Sequence, residues 1–152
     1  MARHTDIEDL FLGFLDSLRL ANGGPFKTLE TFNKPSWEDA LKHIANAQSP
    51  ACLVISRGMK PSPLRPGLNY DQAFSVVLVI ASTNLRGEEA ARRGAAGDPG
   101  IHDLLDNTNT ALLGKEPAGG QYGLINPGAE KRIASNKNTV VWTQEWEVIR
   151  YA

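Results

Sequence analysis

Phe74-Ser75-Val76-Val77-Leu78-Val79-Ile80-Ala81 is the stretch on which the fold turns. It is nearly continuous apolar sequence rich in β-branched side chains, without the polar and apolar alternation of a strand that has one wet face. Such a run fits a central strand covered on both sides. The segments after it are equally patterned: the polar break Thr83-Asn84-Leu85-Arg86-Gly87, the Ala/Arg-rich residues 88–93, and Asp98-Pro99-Gly100 opening a further helix.

Working outward, residues 51–56 form a second apolar run, bounded by Pro50 and by the turn signal Arg57-Gly58, and predict a strand buried on both faces. Residues 59–70 carry Pro61, Pro63, Pro66 and Gly67, and are expected to form a long irregular loop available for contacts. Residues 27–32 predict a short strand. Towards the C-terminus, residues 130–135 and 139–151 predict two strands joined by Asn136-Lys137-Asn138. In the last strand Val140, Trp142, Trp146 and Val148 share one face, and Thr143, Glu145 and Glu147 the other, which predicts one side on the core and one towards water or a partner. Residues 115–126 predict an extended loop with one ladder pairing near residues 122–125.

Three main helices complete the layout. Ile7, Leu10, Phe11, Phe14, Leu15 and Leu18 follow the apolar spacing of an amphipathic helix, with Thr5 and Glu8 as a capping box and Asn22-Gly23-Gly24-Pro25 as the stop. Ser36 suits the N-cap of a helix through about residue 48, with Trp37, Leu41, Ile44 and Ala45 inward. Asp98 and Pro99 suit the start of the third, whose inner face is Ile101, Leu104, Leu105, Thr108 and Leu112, and Gly114 suits its end. Residues 88–93 add a short helical segment in which Glu88 can pair with Arg92 and Glu89 with Arg93. A solvated helix is the simpler reading of those charges; a contact completed by a neighbouring subunit is the sharper one. The sum is an α+β fold: a mostly antiparallel mixed sheet of four to five strands packed by three helices.

Composition narrows the function. The chain has 152 residues, 41% hydrophobic and 22% charged, which is enough for one domain with a real core over residues 1–152. Sixteen basic against seventeen acidic side chains leave a formal charge of −1, without the basic excess of a nucleic-acid binder. Cys52 is the single cysteine, so no intrachain disulfide forms, and its apolar surroundings predict a small buried hydrophobe. No signal pattern or bilayer-length apolar run is present, so folding in a reducing cytoplasm is expected.

The catalytic motifs fail one by one. There is no Gly-x-Ser-x-Gly elbow, His-Glu-x-x-His, Cys-x-x-Cys or phosphate loop, and Gly114-Lys115 is followed by glutamate where a hydroxyl is required. His4, His43 and His102 have no histidine or cysteine at ligand spacing, so no metal or cofactor is expected. His102 beside Asp103 and the Glu145/Glu147 pair are the remaining titratable candidates. Adjacent helical residues point apart, and a solvated strand face explains the glutamates more simply.

The order of these parts resembles the phage tail-terminator proteins of the Mu-like family. The matching features are the N-terminal amphipathic helix, the strand at residues 50–55, and Phe74-Ser75-Val76-Val77-Leu78-Val79. They continue through Asn84-Leu85-Arg86-Gly87 with Glu89, the helix with Leu104-Leu105-Asp106 and Leu112-Leu113-Gly114, and the closing strand at residues 142–148. That family is similar in fold to the terminator of lambda-like tails. The resemblance implies a non-enzymatic virion protein, made in the host cytoplasm and built into the tail or neck. It would form a homohexameric ring that caps the tail tube, stops its growth and offers a docking surface to the head or neck. Implied partners are further copies of the chain, the tube protein, a neck or head-completion protein and a sheath protein. DNA would pass through the lumen without specific binding, and no membrane would be involved. Arg86, Glu88, Glu89, Arg92 and Arg93 are the expected inter-subunit contacts, and Arg57, Lys60, Arg65 and Tyr70 the expected tube or neck contacts. The alternatives are another neck or tail subunit, such as a head-completion or baseplate component, and, more distantly, a small α/β enzyme or ligand-binding domain.

Overall fold

A computed structural model describes residues 4–32, 37–62, 70–84, 86–94, 99–135 and 138–151. Five strands form one mixed sheet in the order β1-β2-β3-β5-β4, with β1 Thr28–Thr31, β2 Ala51–Ser62, β3 Asp71–Thr83, β4 Asn126–Ser135 and β5 Thr139–Arg150. Four helices accompany it: α1 His4–Leu15, α2 Trp37–Asn46, α3 Glu88–Arg93 and α4 Ile101–Leu112. Only β1 runs parallel to its neighbour β2, and the remaining pairs are antiparallel. The expected α+β architecture is therefore the observed one, with β3 in the middle.

Both faces of β3 are buried from Val76 to Ser82, where helices lie on both sides of the sheet. On the first face Phe74, Val76, Leu78 and Ile80 meet Ile7, Phe11 and Leu15 of α1, Leu104 and Leu112 of α4, and Ala91 of α3. On the second, Val77, Val79 and Ala81 meet Ala40 and Ile44 of α2 with Phe32. Each fully buried aliphatic side chain contributes roughly 1.5–3 kcal/mol, so the unbroken apolar run is what two cores demand of one strand. Parallel strands need a crossover, and α2 supplies it between β1 and β2. Among the described residues that connection places α2 alone on the second face.

Several local expectations are corrected. The Arg57-Gly58 turn is a β-bulge: the register between β2 and β3 shifts between Ser56 and Gly58 and pairing resumes to Ser62. Residues 59–62 thus belong to the strand, leaving the expected long loop shorter. Beyond Val54, β2 has no β1 partner among the described residues, and a strand pairing on one side only tolerates Pro61. Helix α1 ends at Leu15 and continues as two 3₁₀ turns, 16–18 and 20–22, before Gly23 takes φ +86°. Thr5 lies inside α1 rather than capping it. Along α2 the inward residues are Ala40 and Ile44 flanked by Leu41 and Ala47, while Trp37 and Ala45 are exposed. Helix α4 is capped by Gly100, whose N–H donates to the Asp103 carboxylate at 3.2 Å, so Pro99 precedes the helix instead of starting it. The inner face expected for α4 is the buried one. The proposed caps at Ser36 and Asp98 and the turn at residues 136–137 lie outside the described residues.

Strand β5 differs most from expectation. It is interior, paired with β3 on one side and β4 on the other, and its second face is not simply wet: Val141 is buried in the cluster with Ala40 and Ile44 of α2, and Thr143 is buried beside it. Residues 115–125 form the expected loop, with an isolated bridge between Tyr122 and Arg150.

Candidate functional site

Two charged surfaces were expected, and the sheet holds them apart. The first is α3. Asn84 fixes the exit from β3: its N–H donates to the Asn138 carbonyl at 2.8 Å, and its side-chain oxygen accepts from the Arg86 N–H at 3.0 Å. Arg86 is exposed at this corner, and α3 then packs Ala91 into the first-face core. Glu89 and Arg93 form the expected pair at 3.3 Å, but both are more than two-thirds exposed, and such a pair contributes little to stability. Arg92, Arg93 and His102 line a shallow depression beside the start of α4. The Glu88 side chain and Leu85 lie outside the described residues.

The second surface lies on the other face, where α2 does not cover the sheet. The β2 bulge directs Arg57 towards Glu145 of β5, at 3.8 Å. Around them runs an open trough of about 500 Å³ with Val77 in its floor, Lys60 and Glu147 at one end and Gly128 of β4 on its wall. Gly128 permits the close approach of β4, since a Cβ there would lie 3.0 Å from the Glu145 Cβ. Arg57 and Lys60 are thus brought together. Tyr70 stands beyond them at the end of β3, 59% exposed, and Arg65 lies outside the described residues.

The titratable candidates are not assembled into one centre. Glu145 and Glu147 share the open trough, whereas His102 is on α4 across the sheet, its ring edge on Trp142 with centroids 6.0 Å apart. Asp103 is the helix cap, which explains its place beside His102. His4 bonds Ser56 at 2.6 Å, and His43 bonds Glu30 and lies against Phe32, tying α2 to β1. No group of three His, Cys, Asp or Glu residues suited to a metal occurs among the described residues. Cys52 is fully buried, and that burial pushes its thiol far up.

Two features differ from the sequence reading, which gave Glu8 a capping role with Thr5 and did not single out Gln144. Glu8 is buried on α1; burial, and secondarily Asp9, raises its carboxyl above the usual range, and its Oε2 has no hydrogen-bond partner. Gln144 is buried on the core face of β5. Its Nε2 donates to Glu130 of β4 at 2.6 Å and its Oε1 accepts from the Trp146 indole at 2.8 Å, while Asn109 of α4 also donates to Glu130. Period-two counting places Gln144 between Trp142 and Trp146, so its face was readable; its partners were not.

The family whose model matches this chain is one of phage structural or morphogenesis proteins, a virion-associated class. The chain belongs to the family described as Bacteriophage Mu, Gp37, whose model matches residues 12–152, essentially the whole chain. Comparison with curated proteins gives no match. No helix among the described residues is long and apolar enough to cross a membrane.

Proposed function

We propose that the chain is a tail terminator: copies of it close into a ring, six being expected, on the growing end of the tail tube and replace the tube's repeating interface with an unlike one. A polymerising tube exposes the same interface after every ring, so its length is fixed only when a different ring occupies that interface. Head-to-tail contacts close when the rotation between subunits divides a full turn, and they require two unlike surfaces on each copy.

The observation that carries this reading is the separation of two unlike surfaces within a phage structural family. From Asp71 to Thr83, β3 spans roughly 40 Å. Helix α3 follows one end of it on the first face, and the trough with Arg57 and Lys60 opens towards the other end on the second face. In the proposal, Arg86, Glu88, Glu89, Arg92 and Arg93 meet the neighbouring subunit, and Arg57, Lys60, Arg65 and Tyr70 meet the tube or neck. The near-neutral charge suits a conduit, because a strongly basic lumen would retain the DNA backbone. Strands β4 and β1 are the sheet edges, and Pro127, the charges of residues 130–132 and two register shifts blunt β4. Side chains rather than strand addition therefore carry any contact at β4. Electron microscopy of phage lacking this chain tests the role: tails of uncontrolled length, or tails unable to join heads, are expected, and normal tails of normal length refute it.

A further inference from the structure

Among the described residues seven large hydrophobic side chains are exposed, and four of them, Tyr70, Leu113, Leu124 and Tyr151, gather at one end of the sheet. The hydrogen-bond pattern places them. Tyr70 and Tyr151 flank the last paired residues of β3 and β5, where Gln72 meets Arg150. Tyr151 donates its N–H to the Gln121 carbonyl at 2.8 Å, and Gly123 bonds the Ile149 carbonyl, which lays the loop carrying Leu124 beside the strand end. Gly114 bonds the Ile125 carbonyl at 3.1 Å, which brings Leu113, at the end of α4, to the same loop. The Tyr151 side chain lies over Gly123, where a Cβ would stand 2.9 Å from its hydroxyl.

We infer that this end of the sheet is a docking surface for a different protein, one presenting an apolar patch rimmed by carboxylates. Scattered apolar side chains are ordinary on a protein surface, but a gathered group marks a contact, and tyrosine with arginine is the composition of binding hot spots. The rim fixes the partner's charge. Among the described residues Lys60, Lys115 and Arg150 stand around the patch against Glu116 and Glu147, a small positive excess, while Asp71 is buried and already partnered. Arg150 lies over the Tyr122 ring at 5.7 Å, which holds its positive charge at the rim. A second copy meeting this end through the same patch would set these cations against one another, so symmetric self-association is disfavoured. An anionic bilayer is disfavoured as well: so few cations bind one weakly, and two of the four apolar groups end in hydroxyls. The surface deepens the proposed function, resting on its reading of the chain as an assembly subunit, and adds Leu113, Leu124 and Tyr151 to the contact set.

Hydroxyl-radical footprinting of the full chain, free in solution and inside intact phage particles, tests it independently of which partner is met. Tyr70, Leu113, Leu124 and Tyr151 are expected to be modified at least about fivefold less in the particle, with Leu20, at the other end, changing less. Equal modification of these residues in both states overturns the inference even if tails lacking the chain prove to be of uncontrolled length. Protection at this end in a particle whose tails have normal length without the chain sustains the inference and removes the terminator role. The Tyr70→Ser/Tyr151→Ser variant, folded by circular dichroism, is expected to enter particles about tenfold less well than the wild type. Concentration-dependent protection of the free chain, or binding of vesicles containing phosphatidylserine that the same variant abolishes, overturns the choice of partner.

Discussion

Replacing Gln144 with leucine tests how β4 is held to the body of the protein. Leucine has nearly the shape of glutamine and adds apolar area, so a purely hydrophobic account of this site predicts no loss. The hydrogen bonds predict otherwise. Trp146 is 2% exposed, and its indole N–H donates to Gln144 Oε1 at 2.8 Å; in Gln144→Leu that donor is buried without a partner. Leaving a buried donor unsatisfied costs about 1–3 kcal/mol. The carboxylate of Glu130 loses its 2.6 Å bond from Gln144, but Glu130 is exposed and water replaces most of it. The expected net loss is about 2 kcal/mol, a fall in Tm of roughly 4–8 °C for a chain of this size. Urea and thermal unfolding, followed by circular dichroism, give the number. The double variant Gln144→Leu/Trp146→Phe removes the orphan donor, so the penalty of the leucine should shrink when measured against Trp146→Phe alone. A single-variant loss below about 0.5 kcal/mol, or an unchanged penalty in the Phe background, refutes the reasoning.

Other outcomes rest on the same structure. Gly100→Ala places a Cβ 2.3 Å from the Gly94 backbone nitrogen, so it should cost more than about 2 kcal/mol in urea unfolding, because the junction of α3 and α4 must open. Arg57→Ala should change stability by no more than about 1 kcal/mol, since its bond to Glu145 is exposed, and a larger loss would mean that the trough is a structural core. Glu8 has a raised carboxyl, so its protonated form favours the folded state: that contribution is complete below the ordinary value of 4.5 and is lost as pH rises through the higher folded value. Glu8→Gln should therefore be more stable than the wild type at pH 7, with the advantage closing as pH falls towards 4.5, in melting curves taken across that range. Arg86→Glu/Arg93→Glu should unfold like the wild type yet fail to terminate tails in a complementation assay; normal complementation removes α3 from the subunit contact.

The parts of the fold legible in the sequence are those whose signal is local. Apolar spacing marks α1, α2 and α4, because a helix repeats its inward positions within one turn, and the inner face read for α4 is the buried one. The run from Phe74 to Ala81 marks β3 as central, because a strand covered twice carries few polar side chains, and Ser75, the one polar residue of the run, faces the open trough. The family resemblance, too, was carried by the order of such segments. Among the site residues, the sequence nominated the Glu89–Arg93 pair and the charges of Arg57 and Lys60.

Tertiary structure decided the rest, because it turns on which segments meet. The bulge at Arg57, read as a turn, could be recognised only once β3 was seen to go on pairing past it. Whether β5 was an edge depended on β4 lying beyond it, and the burial of its Val141 depended on Ala40 and Ile44 of α2 packing on that face. Gln144 reads as a polar interruption until Glu130 and Trp146 are brought to its two ends. The patch of Tyr70, Leu113, Leu124 and Tyr151 draws on three separated segments and has no signature in any of them. Periodicity reports which way a side chain points along its own element, and the sequence determined that much. Which neighbour then covers the side chain or leaves it open is fixed by long-range pairing, so the sheet order, the trough and the docking end belong to the tertiary structure alone.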